Sequence, residues 1–202
     1  MARVLILFAH PALEKSRVHS RLIRHVPSIE GITFHDLYES YPNLDIDIAK
    51  EQQLLLAHDT IILQHPFYWY SAPALVKQWL DLVLEHGWAY GSEGRMLAGK
   101  RFLNAISCGG PRAAYSKQGR NRFTIRELLA PFDQTAFLCQ MKYLPPFVIH
   151  GTHRLQKHDI DLYAVQYEQL LISLVGNRIS DDECVSIEYL NDLVPIPESI
   201  QS

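Results

Sequence analysis

Short, continuously apolar runs alternate with segments of helical periodicity, and this alternation constrains the fold more than any other feature. The runs lie at residues 4–9, 32–34, 60–64, 100–107 and 141–150. Apolar runs without polar alternation are typical of strands buried on both faces, as in a parallel sheet. We therefore predict an α/β fold with five parallel strands, right-handed crossovers and helices on both faces of the sheet.

The predicted helices fill the segments between these strands and follow the last one. They lie near residues 16–27, 47–58, 73–84, 122–138 and 160–175. Pro131 has no amide hydrogen and must kink or divide the fourth helix. The fifth strand is interrupted at Pro145 and Pro146.

The composition changes after residue 175. Residues 176–202 carry six acidic side chains, Arg178 as their only basic one, and two prolines, Pro195 and Pro197. We expect one domain over residues 1–175, followed by an appended acidic extension over residues 176–202 that is partly disordered.

Composition and spacing argue against several functional classes. A net charge of −3 gives no sign of a nucleic-acid-binding surface. Cys108, Cys139 and Cys184 lie far apart, which argues against a disulfide framework or a zinc site and suits a reducing cytoplasm. The histidines show no HExxH-type spacing, so we predict no metal. Since no stretch reaches 18 apolar residues, we expect a soluble protein that is at most peripheral to a membrane.

The loops after the first, third and fourth strands are expected to converge, because open α/β sheets bind ligands beyond the carboxyl ends of their strands. The first loop, residues 10–19, leads into a predicted helix whose amino end suits a phosphate, and His10 and Ser16 add donors. The alternative is that Ser16 only caps the helix and His10 is an ordinary loop residue. Neither GxGxxG nor GxxxxGK[ST] is present, so the sequence indicates no Rossmann dinucleotide loop and no P-loop.

Three successive aromatic residues, Tyr68, Trp69 and Tyr70, follow the third strand. Aromatic side chains in a loop suit a flat ring system, which they flank by apolar contact and offset stacking. A hydrophobic plug or a dimer contact explains the same residues, so the local sequence leaves these alternatives open.

The loop after the fourth strand contains Ser107, Cys108, Gly109 and Gly110, and Tyr115 follows five residues later. Paired glycines let backbone N–H groups approach a ligand closely, although a plain strand-ending turn has the same sequence. Cys108 lies in no Cys/His motif and is not expected to be a nucleophile. A phenol can donate a proton or a hydrogen bond to a reduced oxygen, but most tyrosines are structural.

Several stretches match a known family pattern, and the block at residues 66–91 is the most specific of them. The stretches are 7–11, 35–38, 41–42, 45–48, 51–52, 64–75, 77–81, 86–91, 97–100 and 143–146. In these stretches the chain resembles the flavodoxin-like NAD(P)H:quinone oxidoreductases. Within that family it most closely resembles the ancillary subunits of the bacterial glutathione-regulated Kef potassium-efflux systems.

The resemblance implies a flavodoxin-like three-layer sandwich, with a five-stranded parallel sheet in the order 2-1-3-4-5. It implies bound FMN, with FAD as the other possibility, and NADPH or NADH as hydride donor to a quinone. It also implies a homodimer with the active site at the subunit interface, for which residues 79–90 are a suitable contact. A Kef-type potassium-efflux antiporter is the implied macromolecular partner, at the inner face of the cell membrane.

By motif position, the resemblance also assigns roles to individual residues. The flavin phosphate would be held by His10, Ser16, Arg17, Val18 and His19. The isoalloxazine ring would be lined by Phe67, Tyr68, Trp69 and Tyr70, and its pyrimidine side by Ser107, Cys108, Gly109 and Gly110. Tyr115 would assist hydride transfer. The sequence departs from the family at His19, where Asn is usual, and at Asn121, where mammalian-type enzymes have His.

The implied mechanism is a two-step exchange, in which the nicotinamide leaves before the quinone binds, and it predicts ping-pong kinetics. A second hypothesis is that the protein is mainly a regulatory binding subunit of the antiporter, with secondary redox activity. A third is a plain electron-transfer flavodoxin, which the aromatic loop and the Tyr115 loop disfavour.

Overall fold

The computed structural model describes residues 1–194. Its strands are β1 (Val4–Phe8), β2 (Ile32–Asp36), β3 (Thr60–Pro66), β4 (Arg101–Ser107), β5 (Lys142–Tyr143) and β6 (Phe147–Ile149). Its α-helices are α1 (His19–Leu22), α2 (Leu37–Ser40), α3 (Ile48–Ala57), α4 (Ala74–Val83), α5 (Ile125–Leu128), α6 (Ala130–Leu138), α7 (Lys157–Val175) and α8 (Asp181–Val185). The last part of the predicted acidic extension, with Pro195, Pro197 and Glu198, lies outside the described residues.

The strands form one parallel sheet in the order β2-β1-β3-β4-β5, which confirms the predicted fold class and strand order. β6 also pairs with β4, where Ala105 lies opposite Phe147. β5 and β6 are therefore two halves of the predicted fifth strand, separated at Pro145 and Pro146. The strand order reverses beside β1 and β3, which is where this class of sheet binds ligands.

Two apolar cores lie on opposite faces of the sheet. Helices α3, α4 and α6 contribute Leu55, Trp79 and Phe132 to one core. Helices α1 and α7 contribute Leu22 and Tyr167 to the other. Successive residues of β1 alternate between the two cores, and all five are buried. Burial on both faces explains why the strands appear in the sequence as unbroken apolar runs.

A buried carboxylate joins α3 to its neighbours. Glu51 is 0% exposed and accepts hydrogen bonds from His35 Nε2 (2.7 Å), the Tyr41 hydroxyl (2.5 Å) and Trp79 Nε1 (2.8 Å). Burial alone raises the pKa of the Glu51 carboxyl, but the three donors favour its charged form, and the pKa lies below its ordinary value. We call these four residues the Glu51 cluster.

The first helix is shorter than predicted. The segment from residue 16 to residue 27 forms only the single turn of α1, and the Ser16 hydroxyl accepts from the His19 N–H (3.0 Å). Pro27 lies in a separate 3₁₀ turn, Val26–Ser28. A one-turn helix carries only a small dipole, so the expected attraction of a helix end for phosphate is weak here. Any anion at this loop depends on individual N–H groups and side chains.

The fourth predicted helix is divided, as expected, into α5 and α6, and Pro131 lies in the first turn of α6. A proline in a first turn interrupts no helical hydrogen bond, because amides at that position have no intrahelical acceptor.

The described part of the acidic extension packs against the domain. Ser180 caps α8, and Asp181 accepts hydrogen bonds from Arg101 (2.7 Å) and Lys142 (2.5 Å). Further along, Tyr189 and Leu190 are buried in the two cores. The extension through residue 194 is therefore part of the packed structure.

Candidate active site

Three loops meet at the carboxyl edge of the sheet, because β1, β3 and β4 end side by side. Phe8 lies opposite Gln64, and Pro66 lies opposite Ser107. The loops enclose a cleft of about 530 Å³, a size typical of small-molecule sites. Its lining contains His10, Ala12, Lys15, Ser16, Arg17, Val18, Pro66, Phe67, Tyr68, Trp69, Ser107, Gly109, Thr152 and His153.

A second cavity of about 570 Å³ adjoins the first. The two share Phe67, Trp69, Gly109 and His153. The rest of the second lining is Tyr70, Gly110, Pro111, Ala114, Tyr115, Arg120, Asn121 and Arg154. The cavities form one continuous site, with hydroxyl and basic groups at one end and Tyr115 at the other.

Two of the residues predicted to bind the cofactor, His19 and Cys108, line neither cavity. Each side chain is only about 1% exposed and lies beneath the loops. They can support the site from below, but their side chains do not reach its surface. The other twelve predicted site residues lie in the lining of one cavity or both.

Free backbone donors face this edge. Among residues 1–194, the N–H groups of Arg17, Val18 and Gly109 donate to no protein acceptor. Donors without a protein acceptor on adjacent loops are free to bind a ligand that carries acceptor oxygens or ring nitrogens.

A chain of buried side chains leads from α7 to the cleft. The Tyr167 hydroxyl donates to Gln64 Oε1 (2.9 Å), and the Gln64 amide donates to His19 Nδ1 (3.4 Å). His19 Nε2 lies 2.9 Å from Ser107 Oγ. An amide nitrogen can only donate, so Nδ1 accepts and Nε2 carries the proton that His19 donates to Ser107. We call these four residues the His19 chain.

The His19 ring is neutral and orients Ser107. Burial, followed by the nearby rings of His10 and His65, holds the pKa of His19 well below its ordinary value. Because Ser107 Oγ accepts from His19, its own proton is left to be donated into the cleft. Nothing in the local sequence indicated Gln64 or Tyr167 as part of the site.

The aromatic loop is strained at two adjacent positions. Trp69 and Tyr70 have φ angles of +50° and +63°, in the left-handed region that residues with a Cβ rarely adopt. Each costs about 1–2 kcal/mol relative to ordinary backbone. Trp69 is 93% exposed, whereas Phe67 is buried at the base of the loop. Strain combined with an exposed indole indicates a loop shaped for a ligand or a partner rather than for the core.

Gly109 and Gly110 lie close to side chains of two neighbouring loops. At Gly109 a Cβ would lie 2.7 Å from His153 Nε2. At Gly110 a Cβ would lie 3.1 Å from the Tyr115 ring. The glycine pair therefore lets the loop after β6, which carries His153, and the Tyr115 loop close over the same edge. The loop after β6 was not among the predicted site loops, although it follows the last strand at the same edge of the sheet.

Tyr115 and Cys108 are both protonated at neutral pH. Burial raises the pKa of the Tyr115 phenol and raises that of the Cys108 thiol to about 12. His150 lies beside both, with Nδ1 3.3 Å from Cys108 Sγ, and burial lowers its pKa to about 4. Cys108 is therefore a buried thiol rather than a nucleophilic thiolate, and Tyr115 is a donor at the cavity wall.

Within residues 1–194, no group of three or more His, Cys, Asp or Glu side chains is arranged to hold a metal ion. No helix in the same range is long and apolar enough to cross a membrane.

Comparison with curated proteins gives two informative relatives. The uncharacterized NAD(P)H oxidoreductase YrkL of Bacillus subtilis is 48% identical over 158 residues, which cover 78% of this chain and 91% of that protein. The glutathione-regulated potassium-efflux system ancillary protein KefG of Pectobacterium carotovorum is 42% identical over 171 residues, covering 85% of this chain and 93% of that protein.

Two solved structures extend the comparison. General stress protein 14 of Treponema denticola, in complex with FMN, is 40% identical with a TM-score of 0.81, covering 85% of this chain and 99% of that one. An NADPH-quinone reductase from P. pentosaceus is 35% identical with a TM-score of 0.76, covering 83% and 96%. The family model described as "Flavodoxin-like fold" matches residues 2–171. The chain belongs to this flavodoxin-like family.

Proposed function

We propose that this chain is an FMN-dependent NAD(P)H:quinone oxidoreductase that passes two electrons, as hydride, from NADPH or NADH to a quinone. The observation that carries the proposal is the continuous site, which joins free donors at one end to an aromatic loop and Tyr115 at the other. The relatives described as an NAD(P)H oxidoreductase and a quinone reductase support it, as does the FMN-bound neighbour.

The first loop fits the phosphate of FMN. The N–H groups of Arg17 and Val18 have no protein acceptor within residues 1–194, and the side chains of His10 and Ser16 line the same cleft. Amide and hydroxyl donors are the groups that bind phosphate oxygens without needing a long helix. His19 holds this loop from below.

The second and third loops fit a flat heterocycle. Phe67 and Trp69 supply apolar surface shared by the two cavities, while the Gly109 N–H and the Ser107 hydroxyl supply polar contacts. When bound, the flavin supplies the hydride chemistry that amino-acid side chains lack. The protein supplies position, shape and hydrogen bonds.

Tyr115 holds a proton at its phenolic oxygen at the wall of the second cavity. Because burial raises its pKa, it stays protonated at neutral pH. It is therefore suited to donate a hydrogen bond to a quinone oxygen as negative charge develops there. Asn121 and Arg120 line the same cavity and can bind polar groups of either substrate.

Replacing Tyr115 with Phe tests this role. We expect quinone reduction to slow about 100-fold, the usual cost of removing one donor to a developing oxyanion. Tyr163→Phe is the matched control, because Tyr163 lies on α7 and lines neither cavity. An unchanged turnover rate in the Tyr115 variant would remove Tyr115 from the mechanism.

The order of substrate binding is a separate proposal. Nicotinamide and quinone both need the cavity beside Tyr115, so we expect one to leave before the other enters. Initial rates measured against both substrates should give parallel double-reciprocal lines. Intersecting lines would show a ternary complex and contradict the proposed exchange.

A second function is favoured by the relation to the KefG protein of Pectobacterium, from which we propose association with a potassium-efflux antiporter at the cytoplasmic face of the membrane. Quinone reduction and potassium efflux are to be measured side by side in cells that express the antiporter together with the Tyr115→Phe variant of this protein. Efflux that survives the loss of reductase activity would show that regulation is the main function. Loss of both reductase activity and efflux would show that efflux depends on turnover.

We also propose a homodimer. A groove of about 520 Å³ lies between α4 and α6, and it includes Leu80, Tyr90 and the exposed side chain of Leu138. Trp79, which begins the contact predicted from the sequence, is buried and cannot take part. Sedimentation equilibrium should give a particle mass of twice the 23.2 kDa chain mass, and Leu138→Glu should reduce it to the mass of a single chain. A monomeric wild-type chain would contradict this proposal.

A further inference from the structure

Residues 186–194 cross the edge of the sheet beyond β6, and we call them the C-terminal strap. The strap lies outside residues 2–171, the part of the chain that the family model covers. We propose that the strap positions the Tyr115 loop, residues 110–116, and that Tyr189 is its main positioning residue. The expected effect on turnover rests on the proposed function, whereas the effect on the loop itself does not.

The strap is fixed to the last strand independently of the active site. The Leu190 N–H donates to the Pro146 carbonyl (3.0 Å), and the Val148 N–H donates to Asn191 Oδ1 (2.8 Å). Gln166 on α7 donates to the carbonyl of Asn191 (3.0 Å). These bonds occupy groups on β6 and in the segment just before it, which otherwise form the open edge of the sheet. The strap is thus held at Leu190 and Asn191, the two residues that follow Tyr189.

One contact from the strap reaches the turn that precedes Tyr115. Arg112 opens the 3₁₀ turn Arg112–Ala114, and its guanidinium donates to Glu188 (2.8 Å) and lies 3.7 Å from Asp192. The guanidinium also lies 4.6 Å from the centroid of the Tyr189 ring. An arginine held between two carboxylates and over an aromatic face has few other positions available. The start of the Tyr115 loop is therefore tied to the strap.

A second contact reaches the Tyr115 ring itself. The Tyr189 side chain is 1% exposed, and its ring centroid lies 5.4 Å from that of His150. The His150 ring lies 5.7 Å from Tyr115, which lies 6.3 Å from Phe67 in the aromatic loop. Four rings thus run in a row from the strap to the wall of the cavity. Close packing transmits the position of the first ring to the others.

The alternative is that Tyr189 only covers the sheet edge and stabilises the whole domain. The two explanations differ in where a change at Tyr189 is felt. A positioning role confines the effect to residues 110–116 and to turnover. A general structural role spreads it over β1 and β3, at the centre of the sheet.

Hydrogen exchange of the full-length protein, followed by peptide, separates these explanations. In Tyr189→Ala we expect the hydrogen-bonded amides of the Tyr115 loop, those of Ala114 and Tyr115, to exchange at least about tenfold faster, because local opening becomes easier while the centre of the sheet stays closed. Tyr189→Phe should match the wild type, since phenylalanine keeps the ring that packs on His150. Asp181→Asn, which removes the charge and one of the two acceptors that bind Arg101 and Lys142 in the same extension, should also leave residues 110–116 unchanged.

An unchanged rate for residues 110–116 in Tyr189→Ala would overturn the proposal, and so would an equal rise in β1 and β3. If that variant does not fold, Arg112→Gln tests the same loop from a half-exposed position, where we expect about threefold faster local exchange. No change in Arg112→Gln would then count against the strap.

The kinetic readout uses the same variants. With FMN bound, Tyr189→Ala should lower kcat/KM for the quinone about tenfold without changing the FMN dissociation constant, and Tyr189→Phe should restore it. If the wild type proves to have no reductase activity, the proposed function fails, while the exchange experiment still decides the role of the strap.

Discussion

The Glu51 cluster and the His19 chain are both buried and polar, but they are built differently. In the Glu51 cluster one carboxylate receives three donors, and every member is enclosed by the core around α3 and α4. The His19 chain is neutral throughout, and its last member, Ser107, lies in the lining of the cleft. One network is closed and charged, while the other is uncharged and open at one end.

This difference separates a stabilising network from a positioning one. A closed charged network contributes to stability only while all its members are present, because the loss of one leaves buried groups without partners. An open neutral chain fixes the direction of a single hydroxyl and leaves its proton for a ligand. Changes in the first network should therefore lower stability, and changes at the open end of the second, beside Ser107, should lower affinity.

The largest effect is expected for Glu51→Gln. The amide keeps one acceptor for three donors, so we expect the free energy of unfolding to fall by about 3 kcal/mol. Urea unfolding followed by circular dichroism measures this loss. Glu39→Gln changes an exposed carboxylate on the neighbouring helix α2 and should alter stability by less than about 0.5 kcal/mol. Equal losses in the two variants would remove the distinction between the networks.

The two networks should also respond to acid in different pH windows. The pKa of His19 is lowered in the folded state, so its stabilising effect is complete above the unfolded value of about 6.5 and is lost as the pH falls. The lowered pKa of Glu51 acts the same way, but only below about pH 4.3. His65 and His150, whose pKa values burial lowers to about 4, add to the upper window.

We therefore expect His19→Asn to flatten the fall in stability between pH 6.5 and 5 by about 1.4 kcal/mol per pH unit, and Glu51→Gln to leave that window unchanged. Urea midpoints measured at half-unit pH steps check this. A wild-type curve that is flat from pH 6.5 to 5 would show that the buried histidines take up protons without unfolding.

A smaller effect is expected on cofactor affinity. His19→Ala removes the donor that orients Ser107, so FMN should bind about tenfold more weakly, a loss of about 1.4 kcal/mol. His19→Asn keeps a side-chain amide donor and should remain within about threefold of the wild type. Isothermal titration of the flavin-free protein measures both constants. If FMN binds to the His19→Asn variant as weakly as to His19→Ala, the His19 side chain acts by its shape rather than by its hydrogen bond.

The smallest effect is expected at Tyr167, the member of the His19 chain that lies farthest from the cleft. Tyr167→Phe removes the donor to Gln64, which should cost about 1 kcal/mol of stability and change FMN affinity less than threefold. An affinity loss as large as that of His19→Ala would show that the whole His19 chain, rather than the bond from His19 alone, sets the position of Ser107.

Much of the fold follows from local sequence, while the His19 chain does not. The unbroken apolar runs predict the parallel strands because burial on both faces leaves no polar alternation. Pro131 marks where the predicted fourth helix divides, because a residue without an amide hydrogen fits the first turn of a helix but not its interior. Gln64 and Tyr167, in contrast, are 103 residues apart, and only the packing of α7 over β3 brings them together.

The length of α1 and the position of the C-terminal strap could not be predicted from local sequence either. The segment after Ser16 has helical spacing, but tertiary packing of Val18, Leu22 and Val26 holds it in separate turns. The acidic composition of the extension predicted partial disorder, yet Tyr189 and Leu190 are buried on opposite faces of the sheet. Two apolar side chains at an uncovered sheet edge outweigh the charges around them.

The most direct measurement is the titration of FMN into the flavin-free, folded protein, followed by quenching of flavin fluorescence. The account predicts one FMN per chain with a dissociation constant at or below about 1 µM, and weaker binding when His19 is changed to Ala. A chain that is folded by circular dichroism but leaves the fluorescence of added FMN unchanged would contradict it.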